Sequence, residues 1–275
     1  MSINITVGLM EVIGDLTKRA GVEIMKYYGT DITVDKKEDE SPVTDADRAA
    51  EKLITEYIQS NISNAFPIIG EEAFAEGRAP EIDDGPFWLI DALDGTKEFI
   101  KHGTDFTVNI ALIENAKPVL GVVHAPKLNK TYWGSVYGSF VEEANKPPRL
   151  VACRRPTPDG LTAVVSKSHR SHQENDYLSN FKIKKEVSAG SSLKFGMIAT
   201  GHADLYPRMG RTMEWDTAAG HAIVIYGGGY VLDMHGDPLR YGKPGFENPQ
   251  FVATGKEPRK ASTLSALDLT DSRPN

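Results

Sequence analysis

The sequence predicts a layered α+β fold, with helices packed on mixed rather than purely parallel sheets. The observations behind this are helical periodicity in the N-terminal region, strand-like runs in direct succession in the middle, and alternating strand and helix signals afterwards.

Between Val7 and Tyr28, Leu9, Met10, Ile13, Leu16, Ala20, Val22, Ile24 and Met25 recur at helical spacing, and Gly29 stops the helix. Lys36 to Glu40 is a charged loop. SPVTDADRAAEKLITEYI reads as a helix capped near Thr44, because a threonine oxygen accepts a free N–H of the first turn. FPIIGEE reads as a short buried strand followed by a turn, and Ala73 to Gly85, punctuated by Gly77, Pro80 and Gly85, as a loop. FWLIDALDG is a strand ending in a turn. FTVNIALIE, PVLGVVHAP and TYWGSVYGSFVEE then read as successive single strands, with NAKP and KLNK as the turns between them. Proline and charge accumulate in ANKPPRLVACRRPTPDG, which places a boundary between an N-terminal α+β lobe (1–150) and a C-terminal α/β lobe (151–255). In the second lobe TAVVSKSH is a strand running into a polar loop, SSLKFGMIATG a short helix, ADLYPR a short strand, WDTAAGHAIVIYGGG a helix and YVLD a closing strand. Gly227 to Gly229 follow that helix and read as its stop, not as a phosphate loop. Residues 256–275 form a polar tail.

Composition narrows the function. With 275 residues and 40% hydrophobic content the chain has enough apolar surface for one large domain or two fused lobes. A net charge of −7 argues against nonspecific nucleic-acid binding, and an anionic ligand would need local cations or bound metal. The single cysteine, Cys153, rules out an intrachain disulfide and a cysteine metal site, suits a reducing compartment, and reads as a plain thiol because no histidine motif accompanies it. The first residues lack a basic segment followed by a long apolar run, and no stretch approaches the roughly 18 apolar residues of a spanning helix. A soluble, cytoplasmic protein is expected, with peripheral membrane association left open.

Acids recur at strand ends and helix starts: Asp47 in VTDAD, Glu71 in IIGEE, Asp91 and Asp94 in LIDALDGT, and Asp216 in EWDTAAG. Such positions are where layered folds build sites. Taken singly, each is equally a helix cap or a solvated turn residue. Taken together, they form an all-oxygen donor set of the kind hard cations such as Mg²⁺ or Mn²⁺ bind. Residues three apart on a continuing strand point to opposite faces, so Asp91 and Asp94 would converge only if the strand ends and turns there. Gly95 would let backbone approach a ligand, and Thr96 would open a helix whose free N–H groups favour phosphate.

GEE, DALDGTKEF and EWDTAAGHA resemble the signatures of the inositol monophosphatase superfamily. Within it, DGTKEFI, VSKSHRS, GSSLKF, ADLYPR, EWDTAAGHAI and YVLD are similar to the CysQ-type 3′(2′),5′-bisphosphate nucleotidases, in matching order from about Ser41 to about Asp237. The resemblance implies an αβαβα sugar-phosphatase fold and a Mg²⁺-dependent, lithium-sensitive phosphatase. It also implies removal of the 3′-phosphate of 3′-phosphoadenosine 5′-phosphate to give AMP, in support of sulfur assimilation and nucleotide recycling. Two or three Mg²⁺ ions are implied, with Mn²⁺ as a substitute, and a monomer with a dimer left open. One departure is Ala92, where the superfamily usually has proline; alanine loses that stiffening but keeps the acids and the Leu93 carbonyl.

By the same resemblance, Glu71, Asp91, the Leu93 carbonyl and Asp94 bind the first metals, and Asp216 a further one. Asp47 is the acid at a further metal or at the attacking water, Thr96 bonds Asp47 and orients that water, and Glu72 is a supporting acid. The implied logic is two-metal hydrolysis, with ions roughly 4 Å apart. Gly95 and Thr96 N–H groups hold the scissile phosphate, while His169, Ser191, Lys194 and Arg208 contact the second phosphate and the nucleoside. His202 and His221 are left as structural. The rivals are a superfamily member acting on inositol monophosphate or a sugar bisphosphate, and a non-catalytic nucleotide sensor. The second cationic set argues against the first, and the full complement of acids against the second.

Overall fold

A computed structural model describes residues 3–30, 34–36, 42–144, 146–167 and 170–256. Thr6 caps α1 (Val7–Met25), its Oγ1 accepting the Leu9 N–H at 3.1 Å. A two-stranded ribbon of β1 (Val34–Lys36) and β2 (Pro42–Thr44) leads to α2 (Asp45–Asn61). Thr44 and Asp47 form a capping box at its start, with the Thr44 N–H donating to Asp47 Oδ2 at 2.8 Å.

The larger sheet holds, in spatial order, β3 (Ile68–Gly70), β4 (Phe87–Asp94), β5 (Thr107–Glu114), β6 (Lys117–Ala125), β7 (Lys130–Ser135), β8 (Gly138–Glu143) and β9 (Arg149–Val151). The β3–β4 pair is parallel and the others are antiparallel. Asn115 and Ala116 both take positive φ (54° and 60°) in the two-residue turn between β5 and β6, the backbone a tight hairpin demands. TYWGSVYGSFVEE, read from sequence as one strand, is instead the β7–β8 hairpin. The chain reverses at Val136 and Tyr137, whose apolar side chains conceal the turn signal, and Gly138 (φ 112°) completes it. IIGEE ends not in a turn but in a short helix, α3 (Glu71–Ala75).

Along β4 and β5 side chains alternate between two buried clusters. Trp88, Ile90, Val108, Ile110 and Leu112 pack with α1 and α2. Phe87, Leu89, Ala111 and Ile113 pack with α6 (Leu193–Ala199) and α7 (Glu214–Tyr226) on the other side. With both faces covered, these strands read as continuous apolar runs. α7 lies directly on the sheet: a Cβ at Gly134 would stand 2.5 Å from backbone atoms of Ala222 and Ile223.

The second sheet runs β11 (Ile183–Ala189), β10 (Leu161–Ser166), β12 (Leu205–Arg208), β14 (Phe251–Thr254) and β13 (Tyr230–Asp233). β10 is parallel to β11 and β12, and β14 is antiparallel to β12 and β13. YVLD therefore forms an edge, and β14, unrecognised in the sequence, enters between it and β12. α6 and α7 share one buried cluster with β4 to β9 of the first sheet and β10 to β14 of the second, and so form the helical layer between the two sheets. The outer face of the second sheet is covered by α5 (His172–Leu178), whose Leu178 packs on Leu161, Ala163, Val165 and Leu205. The layers thus alternate helix, sheet, helix, sheet, helix, the expected αβαβα arrangement. The tail beyond Lys256 lies outside the described residues, and among the described residues no helix is long and apolar enough to cross a membrane.

Two buried histidines make stability pH-dependent. His124 Nδ1 pairs with Thr131 Oγ1 at 2.9 Å and His221 Nδ1 with the Tyr241 hydroxyl at 2.9 Å. Burial lowers His124 to about 4 and His221 to about 3. Both are depressed below 6.5, so their contribution is complete above that pH and is lost as pH falls toward 4. Between pH 6 and 5 each should cost about 1.4 kcal/mol per unit. Thermal melts of the wild type and of a variant with both residues replaced by leucine should differ by this loss over that range.

Candidate metal and phosphate site

The site forms where β4, α3, α4 (Thr96–Ile100) and α7 bring their ends together around a cavity of about 670 Å³. Strand β4, the run FWLIDALDG of the sequence, does not end at Asp91. It continues to Asp94 through a bulge: Asp91 pairs with Asn109, and Asp94 with Thr107. Three steps on β4 thus match two on β5, and the extra residue brings both acids to the same face. Asp91 Oδ1 accepts the Leu93 N–H at 3.1 Å and holds the bulge, in which Ala92 is buried.

Carboxylate oxygens of Glu71, Asp91 and Asp216 lie within 4.8 Å of one another. Glu71 reaches this point from the first turn of α3 and Asp216 from the first turn of α7, where its Oδ2 accepts the Met213 N–H at 2.8 Å. Burial raises Asp216 to about 8, with repulsion from Asp94 and Glu71 adding to it. Acids crowded this closely, with oxygen as the only donor, fit a hard divalent cation.

Asp94 stands beside them, within reach of Ser192 Oγ (3.0 Å) and Asn109 Nδ2 (3.4 Å). Thr96 Oγ1 lies 3.1 Å from Asp47 Oδ1 and 3.2 Å from the Leu93 carbonyl. Asp47 itself is buried, and its Oδ2 also accepts the Thr44 hydroxyl at 2.6 Å. Gly95, at φ 94°, makes the reversal into α4.

On the opposite wall are Ser191, Lys194 and Arg208. Ser191 takes φ 50°, and its hydroxyl lies 2.9 Å from the Asp94 carbonyl. Lys194 is buried, donates to the Ser191 carbonyl at 2.6 Å and sits 5.3 Å from the Tyr206 ring centroid. Burial lowers it to about 8, against the pull of Asp94. Arg208 donates from Nη2 to the Arg211 carbonyl at 3.0 Å, and among the described residues its buried Nε has no hydrogen-bond partner.

Of the residues singled out in the sequence, Glu71, Asp91, Leu93, Asp94, Gly95, Thr96, Ser191, Lys194, Arg208 and Asp216 line this one cavity, and Asp47 meets it through Thr96. Glu72 lies outside its wall, along a second recess of about 860 Å³ on the far side of α3. His169 lies outside the described residues. Sequence reasoning missed Glu51, Asn109 and Ser192. Glu51 accepts the Glu72 and Ala73 N–H groups, both at 2.8 Å, and so seats the turn that carries Glu71. Asn109 donates to Ser192 Oγ at 3.0 Å. A signal for it existed: a lone amide inside the apolar run FTVNIALI is a buried polar group in need of partners.

The model of the inositol monophosphatase family matches residues 9–267. The chain belongs to this family. It is 41% identical over 252 residues to the 3′(2′),5′-bisphosphate nucleotidase CysQ of Salmonella typhimurium, covering 90% of this chain and 99% of that one. The CysQ nucleotidase of Escherichia coli K12 is 40% identical over 247 residues, covering 88% and 98%. Among solved structures, CysQ of Bacteroides thetaiotaomicron superimposes with a TM-score of 0.74 at 33% identity, covering 88% of this chain and 95% of that one. An inositol monophosphatase of Thermotoga maritima gives a TM-score of 0.75 at 25% identity, covering 91% and 93%. The family is Mg²⁺-dependent in general, in keeping with the oxygen-only cluster of Glu71, Asp91 and Asp216.

Proposed function

We propose that this protein is a 3′(2′),5′-bisphosphate nucleotidase that adds water to 3′-phosphoadenosine 5′-phosphate and releases AMP and inorganic phosphate. The observation that carries the reading is the pair Lys194 and Arg208 in the same cavity as the acids. A substrate with one phosphate needs no second cationic set. The CysQ relatives named above support the same substrate class.

Glu71, Asp91, Asp94, Asp216 and the Leu93 carbonyl are the groups that would hold Mg²⁺. Bound there, Mg²⁺ would neutralise charge on the transferring phosphoryl group and make a water more acidic. Asp47 is fixed by Thr44 on one oxygen and faces Thr96 with the other. A Thr96 hydroxyl that donates to Asp47 turns its lone pairs outward, where they accept a hydrogen bond from the attacking water and aim it, and the proton that water loses is relayed through this hydroxyl to Asp47. Backbone N–H groups of Gly95 and Thr96 cradle the scissile phosphate. Arg208 offers a planar fork to the second phosphate and Lys194 a point charge, while the Ser191 hydroxyl, donated to backbone carbonyls, seats the turn beside them. His169 completes this set by resemblance. Glu72, behind α3, is given no step. The reading includes two or three Mg²⁺ ions replaceable by Mn²⁺, a monomer, and a reducing compartment that suits the single cysteine.

The deciding experiment measures phosphate release with Mg²⁺ from 3′-phosphoadenosine 5′-phosphate and from inositol 1-phosphate at equal concentration. A large preference for the nucleotide is expected, and the reverse preference would sink the substrate assignment while leaving the metal chemistry. Lys194→Met should then raise KM for the nucleotide roughly 10- to 100-fold, the worth of one hydrogen bond to a charged group, with a smaller change in kcat.

A further inference from the structure

The two halves of the cavity come from different sheets. Asp91 and Asp94 belong to β4 of the first sheet, whereas Ser191, Lys194 and Arg208 follow or lie on strands of the second. Selectivity for a bisphosphate requires a fixed separation between the reacting phosphate and the second one. Ser192 and Asn109 cross this gap next to Asp94, and a further residue that takes no part in the chemistry above crosses it at the Gly190–Ser191 turn.

Asp105 lies in the link between α4 and β5. Its Oδ2 accepts the Gly190 N–H at 3.0 Å, and its carbonyl accepts the Ser191 hydroxyl at 2.7 Å. Its Oδ1 accepts the Thr104 hydroxyl at 2.8 Å, and Lys167, at the end of β10, stands 3.6 Å from Oδ2. The approach is close enough to exclude a side chain at position 190, where a Cβ would stand 2.7 Å from that of Asp105. The Gly190–Ser191 turn held in this way contains the positive φ of Ser191 and presents the carbonyl that Lys194 Nζ grips at 2.6 Å. The same Ser191 hydroxyl reaches back to the Asp94 carbonyl at 2.9 Å. Metal loop, Asp105, Ser191 and Lys194 therefore form one continuous chain of short polar contacts.

We propose that Asp105 is a positioning residue that determines specificity: it pins the Gly190–Ser191 turn against the metal loop and so sets the spacing between the hydrolysed phosphate and the second phosphate. The proposal rests on the second-phosphate reading above. Removing the Asp105 carboxylate breaks the Gly190 N–H bond and the Lys167 pair, so the turn loosens at Gly190 although backbone carbonyls still accept the Ser191 hydroxyl, and the Lys194 ammonium drifts from the distance a bisphosphate requires. A substrate with a single phosphate does not sample that distance.

The test compares 3′-phosphoadenosine 5′-phosphate with adenosine 3′-monophosphate in the Mg²⁺-loaded wild type, Asp105→Asn and Asp105→Ala. The wild type should prefer the bisphosphate. Asp105→Ala should lower kcat/KM for the bisphosphate about tenfold more than for the monophosphate, the scale of one charge-assisted bond, with the loss in KM. Asp105→Asn, whose amide oxygen can still accept the Gly190 N–H, should lose less. A wild type without preference overturns the second-phosphate reading and this proposal with it. A wild type with preference that Asp105→Ala retains, or an equal loss on both substrates, overturns the role of Asp105 alone and leaves the reading standing.

Discussion

Asp216→Asn should reduce kcat by about 10³-fold or more, the scale expected when a charge-stabilising element of a preorganised site is removed. The same substitution should raise the melting temperature of the metal-free protein. Both effects come from the crowding of Glu71, Asp91 and Asp216 within 4.8 Å. Burial and its acidic neighbours hold Asp216 up to about 8, so metal-free folding at neutral pH forces a proton onto an acid that ionises freely when unfolded. That penalty grows as pH rises from about 4 toward 8, and asparagine removes it. Asparagine also keeps an oxygen for the Met213 N–H, so the start of α7 survives. Mg²⁺ should stabilise the wild type by mass action and the variant much less. Melts with and without Mg²⁺, read beside turnover, check both parts. A variant that keeps full turnover, or that melts lower without metal, would show that the three acids do not act as one cation site.

Gly95→Ala should cost both activity and stability, and more than its φ alone explains. At φ 94° a side chain carries strain of about 1–2 kcal/mol. The added Cβ would also meet the Asp105 carbonyl at 2.9 Å and collide with the Ser191 hydroxyl. Those are the contacts that join the metal loop to the second-phosphate wall, so kcat should fall by about 10²-fold, as misplacement of reacting groups by an ångström does. Gly77 is the matched control. It has φ 69° and nothing within 4 Å of an added Cβ, so Gly77→Ala should lose about 1 kcal/mol and no activity. Equal effects from the two substitutions would count against a tight contact at Gly95.

Much of this was readable along the chain, and the reasons are local. The cap at Thr44 and the apolar runs of β4 to β6 depend on a residue's own conformational preferences or on burial of both sheet faces, whereas α1 ends at Met25, short of the stop expected at Gly29. The acids at strand ends and helix starts were likewise visible as a set. What escaped was held by distant partners. The hairpin at Val136 and Tyr137 carries apolar residues where a turn usually carries polar ones. β14 needs two neighbours from elsewhere in the chain, one of them β12. The capping box of Ser171 and Glu174 announces α5 and went unread.

The acids and the glycine turn are properties of composition and order that point to a metal site, and the family resemblance adds the phosphatase activity and singles out Lys194 and Arg208. Their meeting is a different matter. Asp91 and Asp94 share a face because β5 supplies one residue fewer than β4 across the bulge. Glu71 is aimed by Glu51, Asp94 is steadied by Asn109 and Ser192, and Ser191 is held by Asp105. Residue type is written locally, but the angle of a side chain is fixed by bonds to residues far away in sequence. No reading along one dimension contains those bonds, because they exist only once the two sheets have packed on a common layer of helices.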